Sequence, residues 1–172
     1  ALGLSGFFVQ TRWWIKILSV LFILPWAVPS IPTILSVRFM LNPEWGVINS
    51  TIFRLTGLDG PNWLNDPTLA LSFSMLMHIW KSLPFWTLIL IAGRLAIPAE
   101  HYEAASVDGA TRWQKFSRIT LPLLRPVILV AVVLRTIGAF RVFDLIYVLT
   151  GNGGPADSTK VISFYAYDQA FH

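Results

Sequence analysis

Charged and hydroxylated side chains inside a long apolar stretch are the first candidates for chemistry in this sequence. Arg135, Arg141, Asp144 and Tyr147 all lie between about residue 123 and about residue 150. Ionisable groups at membrane depth are costly, so they usually face a partner or a water-filled cavity. A tyrosine hydroxyl and flat aromatic faces together offer both a polar and an apolar contact to a ligand. We therefore select seven candidate residues for a substrate path: Trp26, Arg135, Phe140, Arg141, Phe143, Asp144 and Tyr147.

The same charges also have a structural interpretation, which the sequence leaves open. Arg141 and Asp144 are close in sequence, so on one helical face they would neutralise each other. Arg135 and Arg141 would also suit an anionic ligand such as a glycerol phosphate, because a guanidinium matches phosphate geometry. In an earlier apolar stretch we favour a structural role for Lys81. A proton relay through His78, three residues before Lys81, would need a carboxylate nearby. That stretch contains no aspartate or glutamate.

Composition places these residues in a membrane protein. Of the 172 residues, 55% are hydrophobic and 13% are charged, with a mean hydropathy of +0.61. A soluble domain carries about 25% charged residues. The net charge of +4 is therefore interpreted as a marker of membrane orientation rather than of nucleic-acid binding. The absence of cysteine excludes disulfides and thiolate metal sites, and we predict no metal site.

Three stretches are long enough to cross a bilayer, at about 13–41, 69–97 and 123–150. The fold class is therefore predicted to be an all-α membrane protein, a polytopic helical bundle of which the chain is one part. Residues 98–126 carry four arginine and lysine residues, whereas the loop at 42–68 carries one and is mainly acidic. The positive-inside rule then makes 98–122 cytoplasmic, makes 42–68 and 151–172 outer loops, and excludes a re-entrant hairpin in the middle stretch.

The start of the chain and the first two loops carry further signals. Residues 1–10 show neither an initiator methionine nor a secretory signal, so we interpret the chain as an internal piece of a larger protein. Pro25, Pro29 and Pro32 predict a kinked or partly unwound first span, which marks either a transport site or a packing kink. The apolar run at 47–58 predicts a small interfacial helix that is either a gate or a linker.

The basic loop is predicted to contain two short helices joined at Gly109. Pro98 suits the first turn of one helix, and the pair Thr111 and Gln114 forms a capping-box pattern that starts the other. We expect Pro122 to end the second helix. The small residues of the first helix suggest that another protein docks there; helices lying on lipid headgroups are the alternative.

The spacing in this loop resembles the EAA signature of membrane subunits of binding-protein-dependent ABC importers. The signature residues are Glu103-Ala104-Ala105, Gly109, Ile119 and Leu121-Pro122. The resemblance covers nearly the whole chain and is closest to the carbohydrate-type permeases, which include maltose, trehalose and glycerol-phosphate importers. Supporting segments are ILPWAVPSIP, IWKSLPF and FRVFDLIYVLTGNGGP. The chain departs from the family in lacking further spans and in a glycine run, GNGGP, that is one residue longer.

The resemblance implies a permease-type transmembrane bundle whose cytoplasmic loop couples to a separate ATPase. It implies that Glu103 pairs with a basic group on that ATPase and that Gly109 permits the bend between the helices. The chain has no GxxxxGK[ST] motif, so we expect it to bind no cofactor, with ATP and Mg²⁺ on the partner. The implied coupling residues are Glu103, Ala104, Ala105, Asp108, Gly109, Ile119, Leu121 and Pro122.

The resemblance further implies a transport subunit rather than an enzyme. No HExxH or GxSxG pattern is present, so no catalytic residue is predicted. The expected substrate is a sugar delivered by an extracytoplasmic binding protein, with a glycerol phosphate or another polar solute as the alternative. The expected partners are ABC ATPase subunits, a second and different permease, and lipid of a bacterial or archaeal inner membrane. An ion-coupled carrier remains the competing functional class.

Overall fold

A computed structural model describes residues 1–9, 12–151 and 153–171, so Asn152 of the GNGGP motif and His172 lie outside the described residues. All regular elements in these ranges are helical, as predicted. A π-helical turn occupies Phe116–Thr120 and a 3₁₀ turn Pro155–Asp157. The α-helices are α1 (Leu2–Phe8), α2 (Trp13–Ala27), α3 (Ser30–Met40), α4 (Val47–Thr56), α5 (Pro67–Leu95), α6 (Ala99–Val107), α7 (Arg112–Lys115), α8 (Leu121–Phe140), α9 (Asp144–Leu149) and α10 (Ile162–Phe171).

Two helical stretches in the described ranges are long and apolar enough to cross a membrane. They are α5 and the continuous helix at 112–140, which contains α7, the π turn and α8. The pair α2 and α3 is a third candidate if the two helices form one broken span. The break falls at Val28 and Pro29, as the prolines predicted, whereas Pro25 lies inside α2. The number of crossings and their direction stay predictions.

The third predicted span differs from the structure at its outer end. Residues 123–150 were expected to form one span, but α8 ends at Phe140 and α9 is a separate short helix. The N–H groups of Arg141 and Val142 bond to carbonyls three residues back, which tightens the last turn. Phe143 then leaves helical geometry, with φ −126° and ψ −55°. Asp144 begins α9, where its negative charge favours the positive end of the helix dipole.

Pro122 does not end the second loop helix, contrary to the prediction. α7 continues through the π turn into α8, and Pro122 lies in the first turn of α8. Proline has no N–H to donate to the carbonyl of Arg118, so the regular α-helical bond is missing at this point. A π turn precedes it, and proline is tolerated where a helix begins. The basic loop is therefore continuous with a candidate span.

The chain divides into two compact units, one with residues 1–26 and 82–137 and the other with 27–81 and 138–172. In the first unit, Gly93 of α5 permits close packing, because a Cβ there would lie 2.9 Å from a methyl group of Leu124 in α8. The core of the second unit contains five buried hydrophobic residues: Ile34, Leu41, Met77, Leu145 and Leu149.

The predicted interfacial helix is present as α4, and one buried asparagine organises the loop around it. Asn49 accepts a hydrogen bond from Trp63 Nε1 at 2.7 Å. Its amide donates to the carbonyls of Pro43 and Pro61, each at 3.3 Å. Buried polar groups need such partners. Asn49 therefore joins both flanks of the loop to α4.

Candidate functional site

The predicted coupling loop begins at α6, which presents its acidic and small residues outward. Pro98 is the residue immediately before the helix, with φ −58° and ψ 136°, one position earlier than a first-turn residue. Glu103 and Ala104 are exposed, and Ala105 is half-buried. Glu103 forms no ion pair with the other described residues. Its carboxylate is therefore available to a group outside the described part of the chain.

The bend between the two loop helices lies at Gly109, as predicted. Gly109 has a φ of +71°, which is the left-handed region that favours glycine. The N–H of Gly109 bonds to the Ser106 carbonyl at 3.2 Å, and the N–H of Ala110 bonds to the Ala105 carbonyl at 2.9 Å. Carbonyls at the end of α6 are satisfied by these bonds. The requirement for glycine is conformational, since nothing lies within 4 Å of a Cβ built at this position.

We expect Gly109→Ala to destabilise the protein by about 1–2 kcal/mol, the cost of left-handed backbone for an L-residue. Gly138→Ala is the matched control. Gly138 also has nothing within 4 Å of its Cβ position, but it lies inside α8 without a positive φ. Alanine should be neutral or stabilising there. Thermal unfolding of the full-length protein in detergent measures both, and equal midpoints for the two variants would contradict the assignment.

The second loop helix starts with the predicted capping box. The N–H of Gln114 donates to Thr111 Oγ1 at 3.3 Å, and the N–H of Thr111 donates to Gln114 Oε1 at 2.7 Å. Two otherwise unpaired backbone donors are satisfied in this way. The bend at Gly109 and the start of α7 are both determined by local chemistry.

Two side-chain hydrogen bonds that the sequence analysis missed hold the loop helices together. The hydroxyls of Tyr102 and Thr120 lie 2.9 Å apart and join α6 to the π turn. Lys115 Nζ donates to Ser106 Oγ at 2.6 Å and joins α7 to α6. The basic spacing at 112–118 suggested only a charged surface, so it did not indicate that Lys115 points at a serine. These bonds make the loop one folded unit.

A cleft of about 360 Å³ lies between the two loop helices. Four predicted coupling residues line it, namely Ala105, Asp108, Gly109 and Ile119, together with Ala110, Gln114, Lys115 and Arg118. Glu103 and Ala104 lie outside it on the exposed side of α6, and Leu121 and Pro122 are half-buried where α8 begins. Val107 and Trp113 are 89% and 72% exposed. Both apolar side chains are therefore open to a partner protein or to lipid headgroups.

Two substrate-path candidates in the first unit have aromatic partners. Trp26 stacks on Phe85, with ring centroids 5.4 Å apart and planes at 21°. Arg135 is half-buried, and its Cζ lies 5.9 Å from the centroid of the Trp86 ring. The face of an indole ring attracts a guanidinium most strongly where water is scarce. The charge of Arg135 is therefore partly balanced within the protein.

In the second unit, Phe143 and Tyr147 belong to an aromatic cluster with residues from α10. The rings of Phe143 and Tyr147 stack at 5.3 Å, and those of Phe143 and Tyr167 lie 4.9 Å apart. Tyr147 is 45% exposed. The sequence analysis missed the α10 members, because the spacing of residues within one segment cannot show which distant rings it meets. The aromatic cluster consists of Phe143, Tyr147, Phe164, Tyr167 and Phe171.

The neutralising pair of Arg141 and Asp144 is not formed, because the two residues do not share a helix. Arg141 lies after the end of α8 and Asp144 begins α9. No ion pair joins them among the described residues, and Arg141 and Phe140 are exposed. Asp144 instead interacts electrostatically with Lys81.

Lys81 lies at the point where the first apolar stretch is broken. Its Nζ donates to the Val28 carbonyl at 2.7 Å. That carbonyl has no α-helical donor, because the residue four positions later is Pro32. Lys81 therefore satisfies a carbonyl that the prolines leave open, which supports the predicted structural role.

One ion-paired group lies outside the candidate spans, next to the aromatic cluster. Lys160 Nζ donates to Asp168 Oδ2 at 3.1 Å and lies 3.9 Å from Asp157 Oδ1. The hydrogen bond to Asp168 raises the pKa of Lys160 above its usual range. This pair joins the turn before α10 to α10 itself. Within the described ranges, His, Asp and Glu side chains form no group of three that would bind a metal.

Comparison with known proteins finds a family and several relatives for this chain. The family model for the binding-protein-dependent transport system inner membrane component matches residues 2–171. The chain is 46% identical to the trehalose/maltose transport system permease protein MalF of Thermococcus litoralis, over 88% of this chain and 51% of that protein. It is 42% identical to the sulfoquinovosyl glycerol transport system permease protein SmoG of Agrobacterium fabrum, over 84% of this chain and 46% of that protein.

A solved structure has a similar fold. The crystal structure of a bacterial alginate ABC transporter, in complex with an alginate pentasaccharide-bound periplasmic protein, matches with a TM-score of 0.82 and 31% identity. The match covers 98% of this chain and 59% of that one. The chain thus spans about half the length of the relatives named above. From the residues matched and these identities, the chain belongs to the family of binding-protein-dependent transport system inner membrane components.

Proposed function

We propose that the full-length protein is the permease subunit of an ATP-driven importer for a sugar. The observation that carries this proposal is the basic loop, where the EAA spacing folds into two linked helices around a cleft. The names of the relatives support a sugar, since they refer to trehalose, maltose and sulfoquinovosyl glycerol. The permease itself performs no covalent chemistry in this proposal.

A separate ATPase subunit is the proposed partner at this loop. Val107 and Trp113 are strongly exposed on it, and Glu103 has no ion pair among the described residues. We infer that Glu103 pairs with a basic group of the ATPase and that Trp113 is covered when the subunits meet. ATP and Mg²⁺ would be bound by that partner, because this chain carries no phosphate-binding loop motif.

A neutral mono- or oligosaccharide is the proposed substrate. Tyr147 offers a half-exposed ring and a hydroxyl at the aromatic cluster, which suits the C–H face of a sugar. An anionic sugar or a sugar phosphate is the second candidate. One observation favours it: Arg141 is exposed and lacks an ion pair with Asp144, so its charge is available to a ligand. A solved relative is described as importing the acidic polysaccharide alginate.

We infer the remaining partners and the location from the family. We infer an extracytoplasmic binding protein that delivers the sugar, as the alginate transporter structure includes a periplasmic protein bound to its sugar. We also infer a second, different permease and a multi-pass arrangement in a bacterial or archaeal inner membrane. The loop at 98–122 then faces the cytoplasm, in agreement with its basic residues.

Uptake into proteoliposomes distinguishes this proposal from an ion-coupled carrier. The full-length protein is reconstituted with its companion subunits, and radiolabelled maltose or trehalose is supplied with the binding protein outside. We expect uptake with ATP inside and no ion gradient. Uptake that requires a proton or sodium gradient and ignores ATP would replace the importer with a carrier.

A further inference from the structure

Arg94, in the last turn of α5, makes contacts that have no role in the function proposed above. Its Nη2 donates to the carbonyl of Leu2 in α1 at 3.3 Å. Its Nε is buried and makes no hydrogen bond with the described residues. An arginine at the end of an apolar helix commonly anchors it at the membrane surface, with the guanidinium facing water and headgroups. The structure instead directs this group into the protein.

The contact with α1 lies beside a glycine. A Cβ built on Gly6 would lie 3.4 Å from both Nη1 and Nη2 of Arg94, so the guanidinium packs directly against the α1 backbone. An alanine fits at this distance, whereas a leucine adds branched side-chain atoms beside the guanidinium. Gly3, one turn earlier in the same helix, has nothing within 4 Å of its Cβ position.

The same guanidinium also contacts the coupling loop. The Cζ of Arg94 lies 5.7 Å from the ring centroid of Phe116, the first residue of the π turn. Phe116 in turn packs against Trp113, with ring centroids 5.6 Å apart. Trp113 is 72% exposed on the surface of the loop. A continuous series of contacts thus runs from the exposed loop surface through Phe116 and Arg94 to α1, all within the first unit.

We propose that Arg94 is a positioning residue that connects the π turn of the coupling loop to helix α1. In this proposal, movement of Trp113 by the ATPase shifts Phe116, and Arg94 transfers the shift to α1. A π turn is a local departure from α-helical bonding and is a frequent site of functional adjustment. The inference rests on the proposed function, because it assumes an ATPase that acts on the loop. It assigns α1 a part in coupling.

The two glycines of α1 provide a matched pair of variants. Gly6→Leu places a side chain against the guanidinium, whereas Gly3→Leu makes the same change in composition and helix propensity at an open position. Arg94→Met is a second way to remove the contact between Arg94 and α1. It keeps the approximate length of the side chain and removes its charge and its hydrogen-bond donors. Size-exclusion profiles and thermal midpoints of the full-length complex verify that each variant folds and assembles.

Hydrogen–deuterium exchange tests the contact without any nucleotide. In the full-length complex in lipid nanodiscs, we expect faster exchange of amides 112–120 in Gly6→Leu and Arg94→Met than in the wild type. Gly3→Leu should match the wild type. Equal exchange at 112–120 in all four proteins would overturn the proposed connection. The result of this experiment does not depend on whether the complex is an ATP-driven importer.

Coupling is then measured as sugar molecules imported per ATP hydrolysed. We expect Gly6→Leu and Arg94→Met to lower this ratio by about fivefold or more, which is within the range for residues that modulate coupling between sites. Gly3→Leu should leave it unchanged. An unchanged ratio in Gly6→Leu would overturn the positioning role even if exchange had increased. A wild-type complex that neither hydrolyses ATP nor imports sugar refutes the proposed function instead.

Discussion

Glu103→Lys is expected to abolish sugar uptake by the full-length complex while leaving membrane insertion and folding intact. Glu103 is exposed on α6 and has no ion pair among the described residues, so charge reversal removes no contact within the loop. Against a basic group of the ATPase it would replace attraction by repulsion. Truncating one partner of a close interfacial charge pair costs about 2–5 kcal/mol, so we expect roughly a 30-fold or greater loss of assembly.

Glu44→Lys is the matched control for this change. Glu44 is also exposed, but it lies in the loop at 42–68, which is predicted to face the opposite side of the membrane. Co-purification of the ATPase and uptake of sugar measure the two variants side by side. Normal ATPase binding and normal uptake by Glu103→Lys would contradict the coupling role of the loop.

Tyr147→Ala is expected to raise the sugar concentration for half-maximal uptake by about tenfold. The change removes a ring that stacks on Phe143 at 5.3 Å and is 45% exposed. An aromatic contact of this kind contributes about 0.5–1.5 kcal/mol, and 1.4 kcal/mol corresponds to a factor of ten. Tyr147→Phe keeps the ring and loses only the hydroxyl, so it separates stacking from hydrogen bonding.

Uptake constants for neutral and anionic sugars measure this prediction. Tyr165→Ala is the control, because Tyr165 is exposed on α10 but does not belong to the aromatic cluster. Arg141→Gln belongs in the same panel, and a selective loss of anionic substrates would favour the second substrate class. If Tyr147→Ala leaves every uptake constant unchanged, the aromatic cluster is structural rather than part of the substrate path.

Sequence reasoning succeeded where the structure is determined by local chemistry. The capping box of Thr111 and Gln114, the left-handed Gly109 and the break near Pro29 all depend on residues within a few positions of each other. The signals for such features are contained in short segments. The EAA spacing indicated the family for the same reason, since its residues lie in one loop.

The failures concern contacts between distant residues and the ends of helices. Hydropathy remains high through residue 149, so it did not show that α8 ends at Phe140. The Arg141–Asp144 pair, one of the two interpretations that the sequence left open, is not formed for that reason. The partners of Arg94 and of Phe143 come from distant segments, α1 and α10, and periodicity within one helix contains no information about them. Pro122 was treated as a terminator although a helix start tolerates proline.

ATP hydrolysis by the full-length complex in lipid, with and without sugar-loaded binding protein, tests the central claim most directly. The panel includes maltose, trehalose, an acidic oligosaccharide and glycerol phosphate. We predict that one sugar stimulates hydrolysis and that Glu103→Lys removes the stimulation, while Glu44→Lys preserves it. A verified, assembled complex whose hydrolysis responds to no member of the panel, and whose uptake follows an ion gradient, would contradict the assignment of an ATP-driven sugar importer.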